Sequence, residues 1–194
     1  MNKELRPKKC RGCGEKFTPA RPLQVACSPN CAYAVARANG TKRRAAQYRV
    51  DKEKSKTVSE HSAEAKVIMQ KYARLRDRNL GCCSCDKPKE WSGQWHGSHY
   101  RPATNSAIRF NLWNINKSCS VCNNHKSGNH AGYTPKLIEK IGQDKVDWLN
   151  SQNQVVKYSI EYLVRLKKIF KEKIRRLEKR MLYGKLRELK NAKD

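Results

Sequence analysis

Cys82-x2-Cys85 and Cys119-x2-Cys122 enclose 33 residues, and within them lies His96-Gly-Ser-His99-Tyr100-Arg101. Two cysteine pairs at x2 spacing suit a tetrahedral Zn2+, because each short knuckle sets two sulfurs on one side of the ion. Directly after the last cysteine come Asn123, Asn124, His125 and Lys126. A histidine segment held between two knuckles is where metal-dependent chemistry is expected, with the knuckles as its clamp. Imidazole, with an unperturbed pKa of about 6.5, can take a proton from water near neutral pH. A hard cation would offset charge growing on a phosphate and its leaving oxygen. His99 carries one such imidazole. Asn123, His96 and His125 carry atoms that could ligate Mg2+ or Mn2+, and an imidazole ligand tilts the choice toward Mn2+.

Blander roles stand beside these. His99 fits a packed histidine or a further structural ligand, His96 an exposed hairpin residue, and His125 a phosphate contact or plain surface. Asn114, grouped with the catalytic residues, suits architecture better than direct chemistry. His61 and His130 read as background, and Cys83 as a small buried side chain or a free thiol. Residues 86–106 offer only Asp86 and Glu90 as carboxylates, both close to the first knuckle.

The elements that must position these groups follow from pattern. Trp95 to Tyr100 reads as a short strand with alternating faces. Cys122 should open a short helix carrying Asn123, His125 and Lys126 and ending at Gly128. Before the hairpin, Ala65, Ile68, Met69, Tyr72 and Leu75 recur at helical steps. Beyond it, Thr134-Pro135 looks like an N-cap and first-turn proline, predicting helices over Pro135 to Ile141 and Asp144 to about Asn150. Ser159 should cap a long helix with the stripe Leu163, Leu166, Phe170, Ile174, Leu177 and Met181. That stripe fits packing on the Ala65–Leu75 helix, or a dimerising helix pair.

A second cysteine set opens the chain: Cys10-x2-Cys13-x13-Cys27-x3-Cys31. Gly14 suits a knuckle turn, Phe17 a small apolar plug, and Cys31 the start of a helix. From Arg37 to Lys56 the chain is rich in Lys and Arg, broken by Gly40, as in a solvated helix or partly disordered arm.

With 43 Lys plus Arg against 17 Asp plus Glu, the net charge is +26, which points to a polyanion and above all to nucleic acid. Hydrophobic residues make up 38%, too few for one large core, so metal ligation must replace missing apolar burial. The start lacks an apolar signal region and no run approaches membrane-spanning length, so reduced thiols in the cytoplasm are expected. Eight of the nine cysteines fall into short pairs, which favours metal over disulfides.

The order of hairpin, zinc knuckles and short helix resembles the ββα-metal, or HNH, nuclease fold. That resemblance implies a hairpin base at His99, a loop asparagine at Asn114, and a metal-binding asparagine at Asn123. The run Trp95 to Arg101, then Arg109-Phe110-Asn111, Asn114-Ile115 and Cys119 to Asn129, is similar to the NinG/Rap family of lambda-like phage recombination endonucleases. The likeness takes in the Cys10–Cys31 finger, Ile141-Gly-Gln, Val146-Asp147 and Ser159-Ile-Glu, and so spans most of the chain. It implies metal-dependent cleavage of branched DNA such as Holliday junctions and D-loops.

The expected fold is α+β, small and zinc-stapled. It comprises a treble-clef or ribbon-like finger over 1–36, a basic helical arm over 37–80, an HNH-like core over 81–133, and a helical region over 134–194 with a long basic amphipathic helix. Two structural zinc sites are expected. Arg101, Arg109, Lys126, Lys42, Arg43 and Arg44 are the DNA-binding candidates. A homodimer is expected, since paired cuts need two sites, with phage or host recombination proteins as possible partners. The rivals are a non-catalytic zinc adaptor on DNA and a sequence-specific HNH nicking enzyme.

Overall fold

The computed structural model describes residues 5–191. Contacts divide the chain into two compact units, Met1–Lys56 and Thr57–Asp194. The division falls after Lys56, between one helix that continues the finger and the next that packs on the central hairpin.

In the first unit, β1 (Lys8–Lys9) pairs antiparallel with β2 (Lys16–Phe17). Gly14 turns the knuckle between them at φ +83°, a conformation that glycine adopts without strain. Helix α1 (Pro29–Lys54) follows. Ser28 caps it by accepting from the Cys31 amide at 3.2 Å, and Pro29 stands in its first turn. Gly40 was expected as a break, yet the helix runs through it. One internal glycine costs only about 1 kcal/mol against alanine, and Ala38, Ala45 and Ala46 nearby are strong helix formers. No residue of α1 is buried.

The second unit begins with α2 (Val58–Arg76). Thr57 and Glu60 close its N-terminus in a reciprocal capping box, with Thr57 Oγ1 accepting from the Glu60 amide at 3.2 Å. Next comes the hairpin of β3 (Trp95–His99) and β4 (Ile115–Cys119), antiparallel with Trp95 opposite Cys119 and His99 opposite Ile115. A single π-helical turn, Val121–His125, leaves β4. Helices α3 (His130–Ile141), α4 (Gln143–Ser151) and α5 (Ile160–Asn191) complete the unit.

Helix α3 starts at His130, four residues before the expected Thr134 cap. Thr134 instead sits inside it, donating to the His130 carbonyl at 3.1 Å. Pro135 lies near the N-terminal end, where it removes one hydrogen bond. Ser159 does cap α5, accepting from the Tyr162 amide at 3.2 Å.

Helix α2 lies against both the hairpin and α5. Ala65, Met69 and Ala73 meet Leu163, Phe170, Phe110 and Ile115 in one buried cluster, and Tyr72 meets Phe170 edge-to-face at 5.0 Å. His61 contacts Lys167 and Lys71 contacts Glu178, so α2 and α5 run in the same direction. The α5 stripe, read as either internal packing or a dimer seam, is thus used inside the chain through Ile174. His61 is a satisfied core histidine, accepting at Nδ1 from Lys167 Nζ at 2.8 Å. A second cluster, with Tyr100, Ile108, Tyr133, Leu137, Val146 and Leu149, holds α3 and α4 under the 100–114 loop.

Asp77, the C-cap of α2, is buried. It takes a two-pronged contact from Arg76 (2.7 and 2.7 Å) and another from Lys140 Nζ on α3 at 2.8 Å. Arg76 reaches on to the carbonyls of Leu112 and Ile115, at 2.9 and 2.8 Å. This network ties α2 to β4 and α3. Among the described residues no helix is long and apolar enough to cross a membrane.

Candidate metal and hairpin site

The two cysteine sets gather as their spacing requires. In each set all four Sγ atoms lie within 4.8 Å of one another. Cys13 and Cys27 stand 3.6 Å apart, Cys27 and Cys31 3.7 Å, and Cys85 and Cys119 3.8 Å. Four sulfurs around Zn2+ at a bond length of about 2.3 Å would stand about 3.8 Å apart along a tetrahedral edge. Both clusters could therefore hold zinc.

Backbone amides point at the sulfurs. Gly12 and Cys27 donate to Cys10, each at 3.3 Å, and Ser84 and Cys119 donate to Cys82 at 3.4 and 3.3 Å. Amides and neighbouring thiols hold Cys10 down to about 6, with the Cys13 amide first. The Cys83 thiol, followed by the Cys119 and Ser84 amides, holds Cys82 down to about 3 against burial. The companions go the other way: sulfur neighbours push Cys27 up to about 12, and burial leads in raising Cys119 and Cys122. One thiolate per cluster is stabilised by the protein, and the companions whose thiols are raised would need a cation to ionise. Cys83 ligates in neither set; the adjacent Cys82 sulfur and burial raise its thiol.

The central cluster forms the base of the hairpin, under Trp91 and Trp95, whose rings meet edge-to-face at 5.2 Å. Alternation along β3 sets His96 and Ser98 on one face and Gly97 and His99 on the other. On the first face the Asn123 side-chain amide meets His96 Nδ1 at 3.0 Å. Turned by half a rotation, that amide would present Oδ1 at the same place. Two adjacent octahedral ligands with bonds of about 2.1 Å stand about 3.0 Å apart, so the spacing of His96 and Asn123 fits a shared cation.

His99, the last residue of β3, places Nε2 3.0 Å from the Arg109 carbonyl oxygen. A carbonyl only accepts, so Nε2 carries the proton and Nδ1 keeps its lone pair. Burial lowers the pKa of this imidazole, and the charges of Lys66 and Arg109 add to that against the Arg109 carbonyl. His99 is thus held as a neutral imidazole. It borders a hollow of about 250 Å³ together with Asn123, Ser127, Gly128 and His130.

Asn114, fully buried, is a staple. Its Oδ1 accepts from the Arg101 amide at 2.7 Å, and its Nδ2 donates to the Arg101 and Ile108 carbonyls at 3.1 and 3.2 Å. This one side chain makes three hydrogen bonds across the loop that delivers the Arg109 carbonyl to His99.

Other candidates lie elsewhere. His125 is exposed at the end of the π turn and does not border the hollow. The Arg101 guanidinium secures the end of α4, donating to the Asn150 carbonyl at 2.9 Å and to Asn153 Oδ1 at 2.8 Å. Arg109 donates to Ser62 Oγ at 2.8 Å. Lys126 is exposed beside Asn123 in sequence, and Lys42, Arg43 and Arg44 are exposed on α1. Asp86 pairs with Lys136 at 2.9 Å, away from the histidines. His130, read as background, borders the hollow because α3 begins early; nothing in its local pattern announced that.

The fold and its clusters define a mixed α+β protein with two four-cysteine sites and a long C-terminal helix. The model of the family described as "Bacteriophage Lambda NinG protein" matches residues 2–180. Protein ninG of Escherichia phage lambda is 34% identical over 184 residues, covering 85% of this chain and 89% of that protein. Protein ninG of Escherichia phage 933W is 33% identical over 189 residues (88% and 93%), and that of Salmonella phage P22 is 33% identical over 184 (85% and 90%). The chain belongs to the NinG family. No solved structure matches it.

Proposed function

We propose that this protein is a metal-dependent endonuclease of the HNH type that cuts branched DNA formed in phage recombination. The observation that carries the reading is the His99 ring, whose Nε2 is spent on the Arg109 carbonyl so that Nδ1 keeps its lone pair, in a residue that borders the same hollow as Asn123. An adaptor has no use for a neutral imidazole posed in this way.

His96 and Asn123 would hold the divalent cation. Bound there, it would supply positive charge to offset that developing on the phosphate and leaving oxygen. His99 Nδ1 accepts the proton of the attacking water, and the Arg109 carbonyl stabilises the imidazolium that results by accepting from Nε2. Asn114 keeps that carbonyl in register. The +26 charge supports sequence-independent attachment to phosphates, with affinity falling steeply as salt rises. Junction shape rather than base sequence would then select the substrate.

Incubation of the zinc-loaded protein with a four-way junction and a matching duplex, with Mg2+ or Mn2+, tests the reading. Cutting confined to the junction supports it. Tight binding without cutting under either metal supports the adaptor instead, and cutting that follows base sequence in plain duplex supports a nicking enzyme. Symmetric paired cuts would require two copies of the chain. Any seam between them would lie elsewhere than Leu163 to Ile174, which face α2.

A further inference from the structure

We propose that Lys66 on α2, with the Arg109 guanidinium, forms a seat for a phosphate group beside His99, so that a helix outside the cysteine-clamped hairpin completes the site. The inference rests on the nuclease reading only for the source of that phosphate, a DNA backbone.

The register of α2 on the hairpin carries the argument. Gly97 lies so close to the helix that a Cβ there would come within 2.6 Å of Gln70 Cα. Two turns earlier, Ser62 Oγ accepts from Arg109 Nη1 at 2.8 Å. Lys66 stands midway, one turn from each, and residues four apart share a helix face. Four residues of helix advance about 6 Å, and two residues of strand about 6.6 Å. The step from Gln70 to Lys66 therefore matches the step from Gly97 to His99 along the same strand face. The Arg109 carbonyl, bonded to His99 Nε2, closes the triangle. The depressed pKa of His99, to which Lys66 and Arg109 both contribute after burial, independently sets the two charges near the ring.

These two cations lack a counter-ion. The carboxylates of α2 are committed elsewhere, Glu60 to the Thr57 cap and Glu64 to Lys167. No ion pair engages Lys66 or Arg109 among the described residues, and Arg109 Nε is their one buried side-chain nitrogen without a hydrogen-bond partner. Two half-buried positive charges beside a neutral imidazole repel one another until an anion arrives. A phosphodiester fits, since its non-bridging oxygens accept from an ammonium and a guanidinium together. The structural alternative is that Arg109 merely pins the loop to α2 while Lys66 is one more solvated lysine.

The test follows the His99 ring resonances by NMR in the zinc-loaded full chain, with inorganic phosphate and then a four-way junction added in the absence of divalent cation. Both are expected to shift His99 saturably. Lys66→Met should weaken inorganic phosphate by about tenfold or more, the range for one hydrogen bond to a charged group, and Lys66→Arg should restore most of it. A wild-type His99 that ignores inorganic phosphate overturns the proposal. So does equal phosphate affinity in a folded Lys66→Met, or cleavage by that variant with kcat/KM unchanged. A response to phosphate but not to the junction overturns the assignment to a DNA backbone. Intact phosphate binding with no cleavage by the wild type would count against the nuclease reading and leave this seat standing.

Discussion

In the N-terminal cluster Cys13 and Cys27 are exposed, and the helix that follows buries nothing. In the central cluster Cys82, Cys119 and Cys122 are buried beneath two tryptophans, and one strand carries both a sulfur ligand and the partner of the histidine hairpin. The ligands are the same and the surroundings are opposite. The first cluster is nearly the whole core of its unit, so the metal would replace apolar burial. The second is the foundation of a unit that already has two apolar clusters. There the metal would fix where Asn123 stands relative to His96.

Removing one ligand from each cluster should break this comparison most sharply. Cys13→Ala is expected to unfold residues 1–56 while leaving the melting of 57–194 in place. Cys119→Ala should disrupt the hairpin unit itself. Apparent zinc binding of about 10–16 kcal/mol is coupled to folding in small zinc domains, so the first effect should be complete. Amide NMR with zinc content measured in parallel checks both variants.

Next in size is the network that supports only the central unit. Asp77→Asn leaves Arg76 and Lys140 facing a neutral partner, and should cost about 3–5 kcal/mol, as breaking one side of a buried ion pair does. Burial raises the Asp77 carboxyl, but Arg76 and Lys140 outweigh it and hold it below the ordinary range. Its folded pKa is depressed, so its contribution is present above an unfolded value of about 3.9. It is lost as pH falls through the folded value. Acid unfolding monitored at the hairpin should therefore shift to higher pH in Asp77→Asn.

The chemistry should separate from the scaffold at His99. His99→Ala is expected to lower cleavage by about 10²–10⁴-fold while junction binding persists. Because burial and two nearby cations depress its pKa, the acidic limb of the wild-type rate profile should lie below the usual histidine value of about 6.5. A smaller effect is expected at Gly97. Alanine there would meet the backbone of α2 and should cost about 1–3 kcal/mol, read as a lowered melting temperature of the second unit alone.

What could be read from the sequence was local. The four short cysteine pairs, the Gly14 turn, the Ser159 cap and the α5 stripe depend on residues within a few positions of one another, and spacing alone reveals them. Asn114 was singled out differently, by its resemblance in position to the loop asparagine of the HNH fold. Hidden were the features made by distant segments: α2 as a wall of the site, the Arg76–Asp77–Lys140 tie, and the Arg109 carbonyl that sets the His99 tautomer. Helix α3 misled because Thr134-Pro135 is a strong local start signal. The true start at His130 is fixed by Asn129 and Gly132 packing on Ser84 across 45 residues of chain.

The central claim is that His99 is a neutral base in a site that the central cysteine cluster holds in shape. The most direct measurement compares wild type and His99→Ala on a four-way junction and a matching duplex with Mg2+ or Mn2+. The account predicts cutting of the junction by the wild type, little or none of the duplex, and loss of cutting with retained binding in His99→Ala. Undiminished cleavage by His99→Ala, or junction binding without any cleavage by the zinc-loaded wild type, would contradict it.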